Sequence, residues 1–283
     1  SYNHQLVPVY VTDSFTVISI DEWAFYNCDC FTGSLTIPNS VTSIGEHAFQ
    51  GCSGFSGTLT IPNSVTWIGH CAFKDCSGFS TVYYDADLSV NYDWNDTSPF
   101  VGCEGSLTIG DNVEMIPDCL FRRGAFTGSL IIPNSLTTIG QGAFAGCDGF
   151  TGGLTIGNSV TEIGRWAFAD CNGFTGSLTI GNSVEIIGIE AFAECDGFTG
   201  SLIIPNSVTS IGSGAFSGCS GFTGDLTIPN SVTMIEGMAF SGCSGFTGNL
   251  TIGNSVTMIG GKAFEGCSGF TGSLTIGNSV EII

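Results

Sequence analysis

Positive charge is scarce in this chain of 283 residues. Only 5 residues are Lys or Arg, whereas 25 are Asp or Glu, and the formal net charge at pH 7 is −20. A protein that binds nucleic acid or an anionic membrane surface needs clustered cations to meet the phosphates. The only adjacent basic residues are Arg122 and Arg123, which are too few for such a surface. The composition therefore predicts no nucleic-acid partner.

Long apolar runs and histidine are lacking as well. No apolar run is long enough to span a bilayer, so we expect no membrane insertion, and no signal peptide is recognisable. A Ser-His-Asp triad would have only His4, His47 and His70 as its base. His47 and Cys71 occupy one position of adjacent repeats, but two such groups are too few for a zinc ion, which takes three or four ligands. We therefore expect no enzyme activity, no metal site and no cofactor.

What the chain does contain is a repeat of 24 residues. The stretch LTIPNSVTSIGEHAFQGCSGFSGT, residues 35–58, is followed at Leu59 by LTIPNSV again. Further units open at Leu107, Leu130, Leu154, Leu178, Leu202, Leu226, Leu250 and Leu274. The spacing is 24 throughout, except for 23 after Leu107 and a double step from Leu59 to Leu107. A fixed period of this size is the signature of a solenoid, in which each unit buries its apolar residues against its neighbours.

Each unit reads as two short strands and a tight turn. Leu-Thr-Ile alternates apolar and polar residues, which predicts a half-buried strand, and Val41–Ile44 predicts a second one. Ala48 to Cys52 then predicts a short helical or 3₁₀ turn that places Phe and Cys in the core. The predicted fold is a repeat solenoid, mainly of short β-strands with short helical or 3₁₀ turns, in about eleven units of 23–24 residues.

The repeats cover the chain as one domain, residues 1–283. The first unit, residues 1–34, is degenerate, with Val11, Val17 and Ile20 in phase with the later units. Residues 80–106 form an irregular unit, and the last unit, which opens at Leu274, stops in mid-repeat. Solenoids usually end in a polar cap, so we expect a fragment, or ends that meet other chains.

The motif Ile-Pro-x-Ser-Val-Thr-x-Ile-Gly followed by Ala-Phe-x-Gly-Cys closely resembles the BspA-like, or surface-antigen, type of leucine-rich repeat. The resemblance runs from about Val11 to Ile283. It implies a right-handed leucine-rich-repeat coil in a secreted or cell-surface protein, and an adhesin whose ligand is a host or cell-surface protein. It supplies no catalytic residues. Residues 80–106 and Leu107–Ser129 depart from the motif.

The repeats also align with one another, and this separates packing positions from variable ones. The residue after Val-Thr and the residue before Ala-Phe change between Trp, Glu, Gly, Met and His, which no core position would tolerate. The predicted binding face consists of Trp67, Trp166, His47, Arg165, Met234, Met258 and Lys262. Aromatic residues, Met and Arg are enriched in interfaces. The plainer interpretation is drift on a solvated face.

Two alternatives to an adhesion module remain open from the sequence. The chain could be a structural spacer or a fibre subunit that associates end to end through uncapped ends. Most first strands place one Thr on the outer face, and together these form a row. The β-propensity of Thr explains such a row, although regular Thr rows also occur in ice-binding solenoids.

Cysteine and asparagine form two further columns. Ten of the 13 cysteines share one repeat position, where we expect buried free thiols that act as small apolar side chains. Cys71 and Cys119 fall in the variable column instead, and we expect them to be exposed. The recurring Asn after Pro or Gly is expected to bond its own turn and its stacked neighbours.

Overall fold

The computed structural model describes residues 16–95 and 97–283. They form a parallel β-solenoid of about eleven turns that contains no helix. The fold class predicted from the period is thereby confirmed. Val11 and the rest of the first fifteen residues lie outside the described part of the chain.

Two rows of strands, numbered along the chain, run the length of the solenoid. The first row contains Leu35–Thr36 (β2), Thr58–Ile61 (β4), Thr81–Tyr84 (β6), Glu104–Ile109 (β7), Ala125–Ile132 (β9), Phe150–Ile156 (β11), Leu178–Thr179 (β13), Leu226–Ile228 (β16), Leu250–Ile252 (β18) and Leu274–Thr275 (β20). The second row contains Ser19–Ile20 (β1), Ser43–Ile44 (β3), Trp67–Ile68 (β5), Met115–Ile116 (β8), Thr138–Ile139 (β10), Glu162–Ile163 (β12), Ile186–Ile187 (β14), Ser210–Ile211 (β15), Met234–Ile235 (β17) and Met258–Ile259 (β19).

Neighbouring turns pair in parallel, with equivalent repeat positions opposite each other. Leu35 is opposite Leu59, for example, and Met234 is opposite Met258. Each row is interrupted once. The first row breaks where residues 202–204 pass between β13 and β16 without forming a strand, and the second row breaks between β5 and β8.

The double step in the sequence contains one rewritten turn. Strand β6 pairs Val82 with Leu59 on one side and with Leu107 on the other, so it takes the place of a Leu-Thr-Ile strand. The phenylalanine column continues through the same turn, because the Phe100 ring stacks on Phe73 with centroids 5.4 Å apart. What differs is the segment after β6, which replaces the second strand of that turn.

The turn at Ala48–Cys52 was predicted to be helical or 3₁₀, and its hydrogen bonds differ from both. The Ala48 amide donates to the Gly45 carbonyl within its own turn, whereas the Phe49 amide donates to Ala72 of the next turn at 2.8 Å. A helix needs successive local bonds, and here every second amide is used between turns. In addition, His47 has a φ of 55°, which is left-handed backbone and interrupts a right-handed helix.

The core consists mainly of stacked phenylalanines. Two columns of Phe run along the interior, and Phe144 lies 5.1 Å from Phe168 with only 1° between the ring planes. Phe150 and Phe174, in the second column, are 5.2 Å apart. Each ring buries a large apolar area, and its stacking partner belongs to a different turn. The core therefore exists only when several turns are assembled.

The main column of cysteines packs in the core beside the phenylalanines, as predicted. The ten cysteines of the main column are free thiols, and they are buried apart from the half-buried Cys28 and Cys267. The Cys171 thiol donates to the Phe144 carbonyl at 3.1 Å, and Cys195 donates to the Phe168 carbonyl at 3.0 Å. Burial raises the pKa of the Cys147 thiol to about 12. The column thus supplies a small apolar group with a weak donor for a carbonyl of the preceding turn.

The asparagine column links the turns at the end of the first strands. The Asn134 side-chain oxygen accepts from the Asn158 amide at 2.7 Å, and Asn158 accepts from the Asn182 amide at 3.0 Å. Asp85 does the same in the irregular turn, where its carboxylate accepts from the Asn112 amide at 3.2 Å. The structural interpretation of this column is confirmed.

Asn158→Ala removes the acceptor of the Asn182 amide while the backbone of the turn stays in place. We expect the free energy of unfolding to fall by about 1 kcal/mol, the usual net contribution of one hydrogen bond. Urea denaturation measures the change. Asn172→Ala is the matched control, since Asn172 is exposed in the same unit and its side chain is not part of the ladder. Equal losses in the two variants would contradict a stabilising role for the column.

Thiol labelling tests the buried cysteine column. In the native protein at pH 8 we expect Cys30, which is exposed, to react fastest, and the buried thiols to react only after unfolding. Burial denies access to the reagent, and it raises the pKa of column thiols such as Cys147 to about 12, so that they stay protonated at that pH. Ellman's reagent should count 13 thiols in denaturant. Cys30→Ser should remove the fast phase, and a rapid reaction of most thiols in the native state would contradict a buried column.

Candidate functional site

Six of the seven residues of the predicted binding face lie in two columns of the surface, and Arg165 lies beside one of them. Trp67, Met234 and Met258 each open a strand of the second row, at β5, β17 and β19. His47, Trp166 and Lys262 lie just before Ala-Phe, and Arg165 precedes Trp166. The structure brings some of these side chains into contact with neighbours and leaves others isolated.

The column on the second row does not form one cluster. Met234 and Met258 are half-buried neighbours in register. Trp67, which is 36% exposed, pairs with Ser43 on the other side of the break between β5 and β8. Seven turns separate Trp67 from Met234, which is roughly 34 Å at a strand spacing of ~4.8 Å. Trp67 and the methionine pair are therefore separate surface features.

In the other column, the residues at the two ends, His47 and Lys262, contact near neighbours. The His47 ring stacks on Trp23 with centroids 4.0 Å apart, and its Nδ1 lies 2.5 Å from Gln50 Oε1. Lys262 forms an ion pair with Glu265 at 3.2 Å, and both side chains are more than half exposed. Pairs of that kind contribute little to stability. Neither residue joins the contacts around Trp166.

Trp166 is the centre of the most developed side-chain cluster on the surface. The Arg165 guanidinium carbon lies 3.6 Å from the centroid of the Trp166 ring, a close cation–π contact. The indole N–H donates to Glu190 Oε2 at 2.9 Å. The ring of Trp94 meets Trp166 edge to face at 4.9 Å. The cluster therefore combines two aromatic rings, a cation and a carboxylate.

Trp94 comes from the segment that replaces the second strand of the irregular turn. Several hydrogen bonds hold this segment. On one side the Tyr92 hydroxyl donates to the Ile68 carbonyl at 2.7 Å, and on the other the Asp118 amide donates to Asn91 Oδ1 at 3.0 Å. Next to Trp94, hydrogen bonds from the Thr97 hydroxyl and the Asn95 amide lower the pKa of Asp93. The segment thus crosses the break between β5 and β8.

The position of Trp94 depends on a glycine. Gly142 has a φ of 58°, and a Cβ built there would lie 2.7 Å from Trp94 Cζ2. The Arg122 guanidinium lies 4.7 Å from the Trp94 centroid and donates to the Trp94 carbonyl at 3.2 Å. A larger residue at position 142 would push the indole out of place.

The same segment buries two cysteines that were predicted to be exposed. Cys119 is fully buried, and Cys71 retains only 6% of its surface. The prediction was wrong because the sequence did not show what covers the column. The Cys71 amide donates to the Thr97 carbonyl, and Cys119 packs beside Gly142, where Trp94 lies. Burial raises the pKa of Cys119 to about 11, although the nearby Arg122 acts in the opposite direction.

An open groove of about 500 Å³ extends from the two tryptophans along the solenoid. Its lining includes Trp94, Trp166, Glu190 and Met238, of which the predicted set contained only Trp166. Trp94 was missed because residues 80–106 do not align with the repeats. One feature of the sequence could have indicated Trp94. Gly142 leaves a gap in a column in which large side chains are frequent, and Trp94 occupies that gap. A second depression, of about 630 Å³, lies at the break in the first row and contains none of the predicted residues.

The site shows no arrangement for metal chemistry. Among residues 16–95 and 97–283, no three His, Cys, Asp or Glu side chains are close enough to hold a metal ion together. In the same residues no helix has the length and apolar character needed to cross a membrane. The cluster around Trp166 offers two aromatic rings, a cation and a carboxylate for non-covalent contacts.

Comparison with known proteins places these features in a family. The model of the BspA type leucine-rich repeat region, which contains six copies of the repeat, matches residues 3–123, 58–175, 114–247 and 172–283. No curated protein matches the chain significantly.

Among solved structures, a leucine-rich repeat protein from Bacteroides ovatus is 22% identical, covers 94% of this chain and 87% of its own, and superposes with a TM-score of 0.58. A leucine-rich cell surface protein from Faecalibacterium prausnitzii is 24% identical over 92% of this chain and 83% of its own, with a TM-score of 0.44. The first of these supports the fold alone. Because the family model matches nearly the whole length, the chain belongs to the BspA type leucine-rich repeat family.

Proposed function

We propose that this chain is a non-enzymatic protein-binding module of a secreted or cell-surface protein, and that it contacts its partner through the groove beside Trp166. The observation that carries the proposal is the cluster itself. Trp94, Trp166 and Arg165 gather at one place on the surface, and these residue types are enriched in binding interfaces. Trp166 and Arg165 lie outside the stacked core, and Trp94 packs against its edge.

The backbone beneath the cluster supports the same conclusion. Trp166, Glu190 and Met238 have φ values of 55°, 51° and 58°. Left-handed backbone costs a residue other than glycine about 1 kcal/mol or more. Gly142 and Gly214 occupy the same column and avoid most of this cost. The same φ recurs at His47 and Lys262, so the strain belongs to the turn, and the turn itself does not select the large side chain at position 166.

Membership of the BspA type family supports an extracellular or surface location and a protein partner. The strong acidity of the chain is consistent with a soluble, highly hydrated exterior. The alternative of a structural fibre subunit makes a different demand, namely that the mass in solution grows with concentration. Light scattering on the purified chain distinguishes the two.

The proposal is tested by a binding screen of the purified chain against extracellular-matrix proteins and whole cells. We expect saturable binding to at least one of them, and we expect Trp166→Ala to raise the dissociation constant at least about tenfold, as for a central aromatic contact. Alanine takes the same backbone conformation as Trp166 with no larger cost, so the solenoid should persist, and circular dichroism checks it.

Ile203→Thr is the matched control. Ile203 is 73% exposed on the first row, where most other turns have Thr, so this change also removes exposed apolar surface but away from the groove. It should leave the affinity unchanged. Trp67→Ala tests whether Trp67, which lies on the second row away from the groove, contributes to binding. If saturable binding is insensitive to Trp166→Ala, the groove is not the contact surface. If nothing binds and the mass in solution grows with concentration, the fibre subunit is favoured.

A further inference from the structure

The groove beside Trp166 has an apolar floor of small side chains. Three successive turns place alanine after the core Phe, and Ala145, Ala169 and Ala193 are each less than 10% exposed. Other turns have Gln50 or Lys74 at this position. The floor therefore exists only in the stretch next to the two tryptophans.

The ends of the groove are closed by larger side chains. Trp94 and Trp166 form one end, and Met238 lies at the other, three turns from Trp166 in the same column. Gly214 has no side chain and leaves its own position in the column open, and a Cβ there would lie 3.0 Å from Glu190 Cγ. At ~4.8 Å per turn, positions 166 and 238 lie roughly 14 Å apart, a span that suits an extended segment of a few residues.

Every ionisable side chain that lines the groove is acidic. They are Asp170, Glu190 and Glu194, and all three are exposed. No Lys or Arg is part of the lining, and Arg122 and Arg165 lie over the tryptophan rings. Glu190 bonds the Trp166 indole, which leaves Asp170 and Glu194 as the carboxylates directed at a ligand.

We infer that the groove binds a cationic, extended segment of a protein partner. The aliphatic stems of its Lys or Arg side chains lie on the alanine floor, and their charged ends reach Asp170 and Glu194. Long basic side chains combine an apolar stem with a charged end in this way, and complementary charge selects the partner and speeds association. This inference rests on the proposed function and names the chemistry of the partner.

A neutral glycan fits the same groove less well. Sugars bind to proteins by stacking on open aromatic faces, and Arg165 already covers one face of Trp166 at 3.6 Å. Arg122 lies over the Trp94 ring in the same manner. Three carboxylates without a lining cation favour a positively charged ligand.

The probe is a fluorescein-labelled octapeptide of alternating Ala and Lys, measured by fluorescence anisotropy at physiological salt. An octapeptide of alternating Ala and Glu serves as the control of charge sign. We expect saturable binding of the basic peptide and none of the acidic one. Asp170→Asn/Glu194→Gln should weaken the basic peptide at least tenfold, because it removes the two free carboxylates while asparagine still tolerates the φ of 60° at position 170.

The matched control removes the same charge elsewhere. Asp111→Asn/Glu185→Gln changes two exposed carboxylates outside the groove, and it should alter the affinity less than twofold. Gly214→Met provides a second test, because it fills the opening with the side chain that Met238 places in the same column. It should abolish peptide binding without loss of the β-signal in circular dichroism.

Two results would overturn the inference. Equal weakening by both double variants would show general attraction to a chain of net charge −20 and not a groove. Binding of a neutral oligosaccharide that Gly214→Met abolishes, with no binding of the basic peptide, would assign the groove to a glycan. The proposed function is judged separately. Suppose that the binding screen yields a partner whose affinity falls with Trp166→Ala but not with Asp170→Asn/Glu194→Gln. The proposed protein-binding function would then stand, and the inference of a cationic segment would be wrong.

Discussion

Every turn of this solenoid depends on hydrogen bonds that it cannot make alone. Half of the amides around the Ala-Phe turn donate to the next turn, as the Phe49 amide does to Ala72. Because the pairing is parallel and in register, equivalent residues stand above one another along the axis. The Phe stacks, the thiol-to-carbonyl bonds and the asparagine ladder all follow from this one constraint. A residue that suits one turn must also suit its copies above and below.

This constraint explains how much could be predicted from the sequence. A period of 24 residues places each position in a column, so the interior of the molecule follows from any single unit. Cys171 could be assigned to a buried column and Asn158 to a ladder without a structure. The turn at Ala48 could not be predicted in the same way. Its spacing also fits a helix, and only the left-handed φ of His47 and the inter-turn bonds exclude one.

The same reasoning fails where the period fails. Residues 80–106 have no equivalent in other units, so no alignment shows where Trp94 lies or what it covers. Cys71 and Cys119 were placed correctly in the variable column, but their exposure was inferred from a surface that this segment hides. For the site, Trp166 and Arg165 could be predicted, whereas Trp94 depends on long-range packing onto Gly142. Only coordinates supply contacts between a non-repeating segment and a column.

Under the proposed function, the failure of the period also gives a partner one definite place to bind. A solenoid with identical turns presents the same side chains every ~4.8 Å, so a partner could attach at any turn with similar energy. Here the alanine floor, the gap at Gly214 and the indole of Trp94 occur together only once in the described residues. The regular columns hold the solenoid together. Under the proposed function, the departures from regularity determine where along it a partner binds.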